Sequence, residues 1–330
     1  MNGAKVNTPV SVIIPAFNIE NYIVETIESL LSQSVKPQEI IIIDDGSTDN
    51  TKGILLERYE GNGLIKIISQ ENKGAGEARN HGVSLACGDY IFFCDSDDIV
   101  LPGFFETFDG KLREDSNIDM FCFSSEFFYE NGYKGNKTVH HASGWLPSAK
   151  IALSDLLVRN SYTAASWTYI IRKNIITDNG LKFYGRLHED HIITMSAYLI
   201  SKATYRTENI LYSQRVREGS LTRSKHIIDF SPRIDALNST LNVLDKIVDV
   251  EKSEIQLIRA RYVNSSLFFL IDMCADTCVF LPSIVLDTFK CHKKNTVFSL
   301  KEKFLLNFPE LYFALKKIYI FCMRPSHSYR

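Results

Sequence analysis

The chain has 330 residues, of which 45% are hydrophobic and 23% charged, and its formal net charge is −2. Those values suit one large globular domain or two smaller ones, with enough length to bury a full core. A near-neutral balance excludes a global basic field for nucleic acid, so any attraction to phosphates has to be local.

Seven cysteines are present, none in a Cys-x-x-Cys pair. The odd count and the apolar runs around several of them predict reduced, buried thiols in a cytoplasmic chain. Met1 to Pro9 is polar, so no secretory signal is expected there. The most apolar later stretch, Leu267 to Leu281, is broken by Asp272 and Asp276 and is too short to span a bilayer. No internal repeat and no low-complexity tract is visible.

In chain order, Val10 to Ile14 reads as a β-branched strand closed by Pro15. Asn21 is placed to cap a helix in which Ile23, Ile27, Leu30 and Leu31 recur at helical spacing. Glu39 to Ile43 is a second strand, ending in Asp44-Asp45-Gly46-Ser47, where Ser47 or Thr48 can cap the next helix. Leu64 to Ser69 is a third strand. Ala78, Gly82, Leu85 and Ala86 then form a small-residue helix face closed by Gly88. Asp89 to Cys94 is a fourth strand, ending at Asp95. Strands separated by helices predict an α/β fold with a mostly parallel sheet flanked by helices. In such sheets ligands bind beyond the carboxyl ends of the strands.

Later, Pro102 to Arg113 reads as a helix, Asp119 to Tyr129 as an aromatic strand, and Asn131 to Gly144 as a loop. Ser154 to Asn160 and His188 to Leu199 read as helices, and the region from Ile227 onward is mainly helical. Leu300 to Arg324 mixes aromatic and apolar residues with Lys301, Lys303, Lys316, Lys317 and Arg324, and Pro309 starts a second short helix. Such a stretch can lie on an anionic membrane surface. Packing on the domain with a solvated lysine face is the alternative.

The carboxylates carry the main chemical signal. Asp95-Ser96-Asp97-Asp98 follows an apolar strand directly. Two like charges about 4 Å apart repel by about 4 kcal/mol at an effective dielectric near 20. A hard divalent ion reverses that sign, and carboxylate oxygens suit Mg²⁺ or Mn²⁺. A solvated loop capping the following helix is the alternative reading. Asp44-Asp45-Gly46-Ser47 is weaker alone, but both acidic turns fall on strand ends of one predicted sheet. The chain has no G-x-G-x-x-G and no Walker loop; Lys73-Gly74-Ala75-Gly76 lacks the rest of either pattern.

Pro15-Ala16-Phe17-Asn18, Asp44-Asp45-Gly46-Ser47-Thr48-Asp49, Asn72-Lys73-Gly74 with Ala78-Arg79-Asn80, and Asp95-Ser96-Asp97-Asp98 together resemble the ordered signature of family 2 glycosyltransferases, which have the GT-A fold. The likeness is strong over residues 10–105 and looser to about residue 225. It implies a UDP-sugar donor contacted by Pro15, Phe17, Asn18, Asp44, Asp45, Arg79, Asp95 and Ser96. In that reading Phe17 packs on the uracil face, Asp45 accepts the imide proton, and Arg79 contacts the base or diphosphate. Asp97, with Asp95 near the ribose and metal, would ligate Mn²⁺ or Mg²⁺. The extra Asp98 resembles a variant in some bacterial polysaccharide galactosyltransferases, with a helix cap before Pro102 as the alternative.

His188-Glu189-Asp190-His191 resembles the family's Glu-Asp motif, which makes Asp190 the catalytic base with Glu189 beside it. A carboxylate within reach of the acceptor hydroxyl is what that step needs, although acids at a helix N-terminus are also favoured by its dipole. Gln214 to Thr222 resembles the Arg-x-x-Gly-Ser stretch, placing Arg217 and Ser220 at the donor. Glu218 stands where processive synthases have Trp.

The resemblance divides the chain into residues 1–110 for the nucleotide sugar, 111–225 for the acceptor, and 226–330 as a helical region for membrane or subunit contact. It implies an inverting transfer of a hexose or N-acetylhexosamine to a glycan or lipid-diphosphate-linked glycan in bacterial surface polysaccharide synthesis. That activity belongs in the cytoplasm or on the inner face of the cytoplasmic membrane, with a homo-oligomer compatible and no nucleic-acid partner. A sugar nucleotidyltransferase, which should carry a glycine-rich loop at the first strand, and a non-catalytic nucleotide-sugar-binding protein are the rivals.

Overall fold

The computed structural model describes residues 7–217, 230–246, 252–278, 280–292 and 299–323. The chain divides into two compact units, Met1–Arg217 and Glu218–Arg330. The first contains β1 (Asn7–Ala16), α1 (Ile23–Leu31), β2 (Lys36–Asp44), α2 (Thr51–Tyr59), β3 (Ile65–Ser69), α3 (Ala75–Leu85), β4 (Tyr90–Phe93), β5 (Ile99–Val100) and α4 (Phe104–Glu114). It continues with β6 (Met120–Tyr129), β7 (Lys134–Asn136), β8 (Gly144–Leu146), α5 (Ala149–Val158), β9 (Tyr169–Arg172), α6 (Lys173–Thr177), α7 (Asp190–Ile200) and β10 (Thr204–Val216). The second unit holds α8 (Ser231–Lys246), α9 (Lys252–Thr277), α10 (Ser283–His292), α11 (Leu300–Asn307) and α12 (Pro309–Met323).

One sheet runs in the order β3-β2-β1-β4-β9-β6-β10-β5, with β7 on β6 and β8 on β10. β3, β2, β1 and β4 pair in parallel, as do β6 and β10. This is the α/β sheet that the strand–helix alternation predicts. Ile40 to Ile43 are fully buried, which explains their unbroken apolar run: helices cover both faces of the parallel half. α1 buries Ile23, Thr26, Ile27 and Leu30.

Several local expectations are corrected. α1 and α2 begin after Tyr22 and Asn50, neither of which caps through its side chain, instead of after Asn21 and Ser47 or Thr48. Asp49 takes over at α2, accepting from the Thr51 N–H at 3.0 Å. Gly82 does allow α3 to approach the sheet, since a Cβ there would lie 2.4 Å from Ile13 Cγ2. Leu85, however, is exposed, and α3 ends there without Gly88. Gly88 instead lets the following turn pass β1, where its N–H donates to Ser11 Oγ at 2.8 Å.

The predicted loop 131–144 contains β7 and the start of β8. α5 begins earlier than expected because Ser148 caps it, accepting from the Lys150 N–H. β9 lies antiparallel between β4 and β6 and was not predicted. Among the described cysteines all are free; Cys94, Cys122 and Cys274 are buried as expected, whereas Cys87 and Cys291 are exposed.

His140, which follows β7, is 2% exposed, and neither ring nitrogen has a hydrogen-bond partner among the described residues. Burial, helped by the nearby Arg206 charge, pushes its pKa down to about 4. The unfolded chain therefore binds a proton near its ordinary value that the folded chain refuses, so stability falls as pH drops from about 6.5 through about 4. Urea melts across that window should show His140→Leu with a shallower acid loss than wild type.

Candidate active site

The carboxyl ends of β1, β2 and β4 bring three acidic or polar groups to one rim. At the end of β1, Pro15 is half-buried and Phe17 is 45% exposed, an open aromatic face. Asn18 sits at φ +48°, and its Oδ1 accepts from the Thr48 N–H at 2.8 Å, tying this turn to the one after β2. There Asp44 Oδ1 accepts from the Ser47 N–H at 3.1 Å. Gly46, at φ +74°, lets the turn pass Asn72, whose nitrogen would be 3.0 Å from an added Cβ.

Asp45 is 2% exposed. Its Oδ1 accepts from Gln70 Nε2 at 2.8 Å and the Lys73 N–H at 2.9 Å, and its Oδ2 from the Gly74 N–H at 2.8 Å. A carboxylate offers about four lone-pair sites, so one direction remains for a ligand donor. Gly74 also opens α3, which carries Arg79, so the Asp45 turn is joined to the next cluster by one helix.

Arg79 is 4% exposed. Its guanidinium meets Asp95 Oδ1 at 2.7 Å, Glu189 Oε1 at 2.8 Å and Asp190 Oδ1 at 3.5 Å, and lies 5.4 Å from the Phe183 ring centroid. Burial opposes its charge, but Asp190, Asp95 and Glu189 outweigh that and hold it protonated. One helix, the end of β4 and the start of α7 thus converge on a single cation. Asp190 is the first residue of α7, and its side chain is 18% exposed. Burial raises its pKa, Arg79 lowers it, and Glu189 and Asp95 raise it again, leaving it pushed up to about 7.

In the turn after β4, Asp97 Oδ2 accepts from Arg217 Nε at 2.6 Å. Burial and then the Asp95 charge raise the Asp97 pKa despite Arg217. The Ser96 carbonyl accepts from Thr26 Oγ1 at 3.0 Å. Asp98 is 1% exposed and faces inward. Its Oδ2 accepts from the Tyr212 hydroxyl at 2.7 Å and its Oδ1 from the Arg215 N–H at 2.7 Å. The Tyr212 oxygen also accepts from the Asp95 N–H at 3.2 Å, and its ring stacks on Trp167 with centroids 4.8 Å apart. Arg215 Nε donates to the Asp97 carbonyl at 2.9 Å.

Arg79 therefore joins the Asp95, Glu189 and Asp190 side chains directly, while Asp97 shares the turn of Asp95 and Asp45 is linked to the cluster through the backbone of α3. Asp98 does not share the exposed rim with Asp97. Arg79, expected to face a base or diphosphate, has its cationic end turned to three carboxylates instead. Ser220 lies outside the described residues. Sequence reading missed Tyr212 and Arg186, whose Nη2 donates to the Asn72 carbonyl at 3.3 Å and whose Cγ lies 3.3 Å from a Cβ built on Gly74.

Among the described residues no group of three or more His, Cys, Asp or Glu side chains could hold a metal. Asp95 and Asp97 offer two carboxylates, and the Arg217 guanidinium already stands as a cation on Asp97. Such a pair fits an ion that completes its shell with phosphates and water, which is how Mg²⁺ is usually held, and does not fit a preformed cage.

A mixed α/β sheet with a parallel half, acidic turns at its carboxyl rim and a helical region after it has the GT-A architecture. The model of Glycosyl transferase family 2 matches residues 11–178, and the chain belongs to that family. A glycosyltransferase of Escherichia coli strain K12, YibD, is 30% identical over 261 residues, covering 72% of this chain and 73% of that one. A chondroitin synthase of Escherichia coli is 44% identical over 109 residues, which are 33% of this chain and 16% of that one. The structure of S. aureus TarS 1-349 in complex with UDP-GlcNAc superposes with a TM-score of 0.68 at 23% identity, covering 94% of this chain and 88% of that one. The chain is accordingly a glycosyltransferase by family.

Removing the cation at the centre of the cluster leaves buried carboxylates without a partner. Arg79→Met is expected to lose about 3–5 kcal/mol, the usual cost of breaking a buried ion pair from one side. Denaturant unfolding measures it, and a loss below about 1 kcal/mol, the scale of a surface pair, refutes it.

Proposed function

We propose that this glycosyltransferase moves a hexose or N-acetylhexosamine from a UDP-sugar to an acceptor hydroxyl with inversion, in the synthesis of a bacterial surface polysaccharide on a lipid-linked glycan. The observation that carries the reading is the Arg79 bridge: it puts Asp190 beside Asp95 of the turn that also bears Asp97. In this reading a proton acceptor and a cation-holding pair share one charge cluster. The UDP-GlcNAc complex of TarS and the polysaccharide-making chondroitin synthase support the donor and product classes.

Asp190 takes the acceptor proton as the acceptor oxygen attacks the anomeric carbon. The bond to the diphosphate breaks, and the nucleoside diphosphate leaves with the bonding pair. A single displacement inverts that centre. Mn²⁺ or Mg²⁺ held by Asp97 and Asp95 would supply Lewis-acid neutralisation of the leaving group. Phe17 offers the face on which uracil stacks, and the free lone pair of Asp45 accepts its imide proton. Pro15, Asn18, Asp44 and Ser96 shape the turns around the nucleoside. Arg79 serves as the charge centre that orients Glu189 and Asp190. Arg217, released from Asp97, and Arg186 are the cations available to the diphosphate; guanidinium suits that geometry.

A base with a pKa of about 7 is well matched to neutral pH. Transfer should rise with pH through about 7, because the ionised carboxylate is the active form. Asp190→Asn should lower the rate by about 10²–10⁴-fold, while UDP-sugars with Mn²⁺ still raise its melting temperature as they do for wild type. Initial rates and thermal shifts on the same samples decide it; wild-type turnover by Asp190→Asn removes that residue from the mechanism.

For residues 226–330 we propose peripheral contact with the inner face of the cytoplasmic membrane. Phe308, just before α12, and Leu311, Leu315, Ile318 and Tyr319 along one face of it are each at least 50% exposed. Lys301 and Lys303 lie just before them. No described helix is long and apolar enough to cross a membrane. An apolar row beside lysines suits an interfacial helix on anionic lipid. Leu315→Glu with Ile318→Glu should abolish cosedimentation with phosphatidylglycerol vesicles; unchanged sedimentation refutes the contact.

A further inference from the structure

Asp98 and Tyr212 belong to no step above, yet both are buried at the turn that bears Asp95 and Asp97. Their contacts are specific. The Tyr212 hydroxyl donates to Asp98 Oδ2 at 2.7 Å and accepts the Asp95 N–H at 3.2 Å, so one oxygen bridges both ends of the turn. The other carboxylate oxygen of Asp98 accepts the Arg215 N–H at 2.7 Å, and Arg215 Nε donates to the Asp97 carbonyl at 2.9 Å. Thr26 holds the remaining Ser96 carbonyl at 3.0 Å. The Tyr212 ring cannot swing, because it is fully buried, stacks on Trp167, and packs edge-on to Phe92 with centroids 6.1 Å apart.

We propose that Tyr212 and Asp98 are positioning residues: through β10 they lock the backbone of the acidic turn so that the Asp95 and Asp97 carboxylates are preset for a divalent cation. The proposal rests on the reading of those two carboxylates as cation ligands. Its physical basis is preorganisation. Two carboxylates held together repel, and an unbraced turn relieves that repulsion by moving apart before any cation arrives. A buried carboxylate with both oxygens satisfied from a neighbouring strand removes that freedom. It also answers why a third acid follows Asp97: its carboxyl group faces inward, onto the strand that anchors the turn.

The test uses the full chain as Tyr212→Phe and, independently, Asp98→Asn. The first keeps the stacked ring and deletes only the bridging oxygen; the second keeps the shape and one acceptor. Mn²⁺ binding in the presence of UDP is followed by electron paramagnetic resonance, and exchange of the Asp95 amide is followed in metal-free protein. The expected result is Mn²⁺ affinity lower by about tenfold or more in both variants, as for losing a hydrogen bond to a charged group. The Asp95 amide should also exchange faster, with melting temperatures that stay within a few degrees of wild type. Wild-type Mn²⁺ affinity in both variants overturns the brace, whatever the exchange shows. If wild type itself binds no Mn²⁺, the cation reading fails, and the Asp95 amide still decides whether Tyr212 restrains the turn: unchanged protection in Tyr212→Phe overturns that too. Should Tyr212→Phe not fold, Asp98→Asn carries the same two readouts.

Discussion

A single guanidinium holds three carboxylates that come from two distant parts of the chain. Arg79 reaches Asp95 at the end of β4 and both Glu189 and Asp190 at the start of α7, from a nearly water-free position. One positive charge does not balance three negative ones, and burial makes the deficit expensive. The cluster relieves it by protonation: Asp190, pushed up to about 7, carries a proton part of the time at neutral pH. The raised pKa of Asp190 thus comes first from burial and then from an unbalanced charge set. It is not a feature of Asp190 alone.

The same deficit runs along the rim. Asp97 is raised by burial and by Asp95, and Arg217 only partly answers. Asp45 is different, since backbone N–H groups and Gln70 solvate it fully enough to leave a single direction open. The rim therefore has one end whose acid is satisfied by backbone and amide donors and another whose acids are answered only partly, by Arg79 and Arg217. A nucleoside diphosphate has matching ends, a neutral hydrogen-bonding base and an anionic tail that brings its own counter-ions.

How much of this was legible in the sequence depends on distance along the chain. Strand ends were legible to within a residue or two where an apolar run stops at Pro15, Asp44 or Asp95, because an unpaired acid is costly inside a buried strand and proline supplies no ladder N–H; β1 nevertheless runs through Pro15 to Ala16. Helix caps were less so: Asn21 and Ser47 or Thr48 have the right chemistry for caps, yet the helices start after Tyr22 and Asn50, and Ser47 instead accepts the Asn18 N–H and joins two turns. β9 was missed because Tyr169 to Arg172 is a short run placed between strands by tertiary packing, with no local period to reveal it. The contacts of Arg79 were invisible for the same reason, since they span 110 and 111 positions to Glu189 and Asp190. Tyr212 lies in β10, a strand that the sequence reading did not predict, and only the fold sets it against Asp95, 117 positions away. Family resemblance supplied the names of the rim acids, and geometry supplied which of them face outward.

β10 pairs with β6 along nearly its whole length, but its register shifts twice, between Thr207 and Ile210 and again between Ile210 and Tyr212. In a strand a one-residue slip turns every later side chain to the opposite face. These two irregularities therefore act as a phase adjustment, set before Tyr212, Arg215 and Arg217 are reached. A deletion of one residue at Glu208 or Asn209 would leave the strand paired and its composition almost unchanged, yet rotate the tyrosine hydroxyl away from the turn it spans.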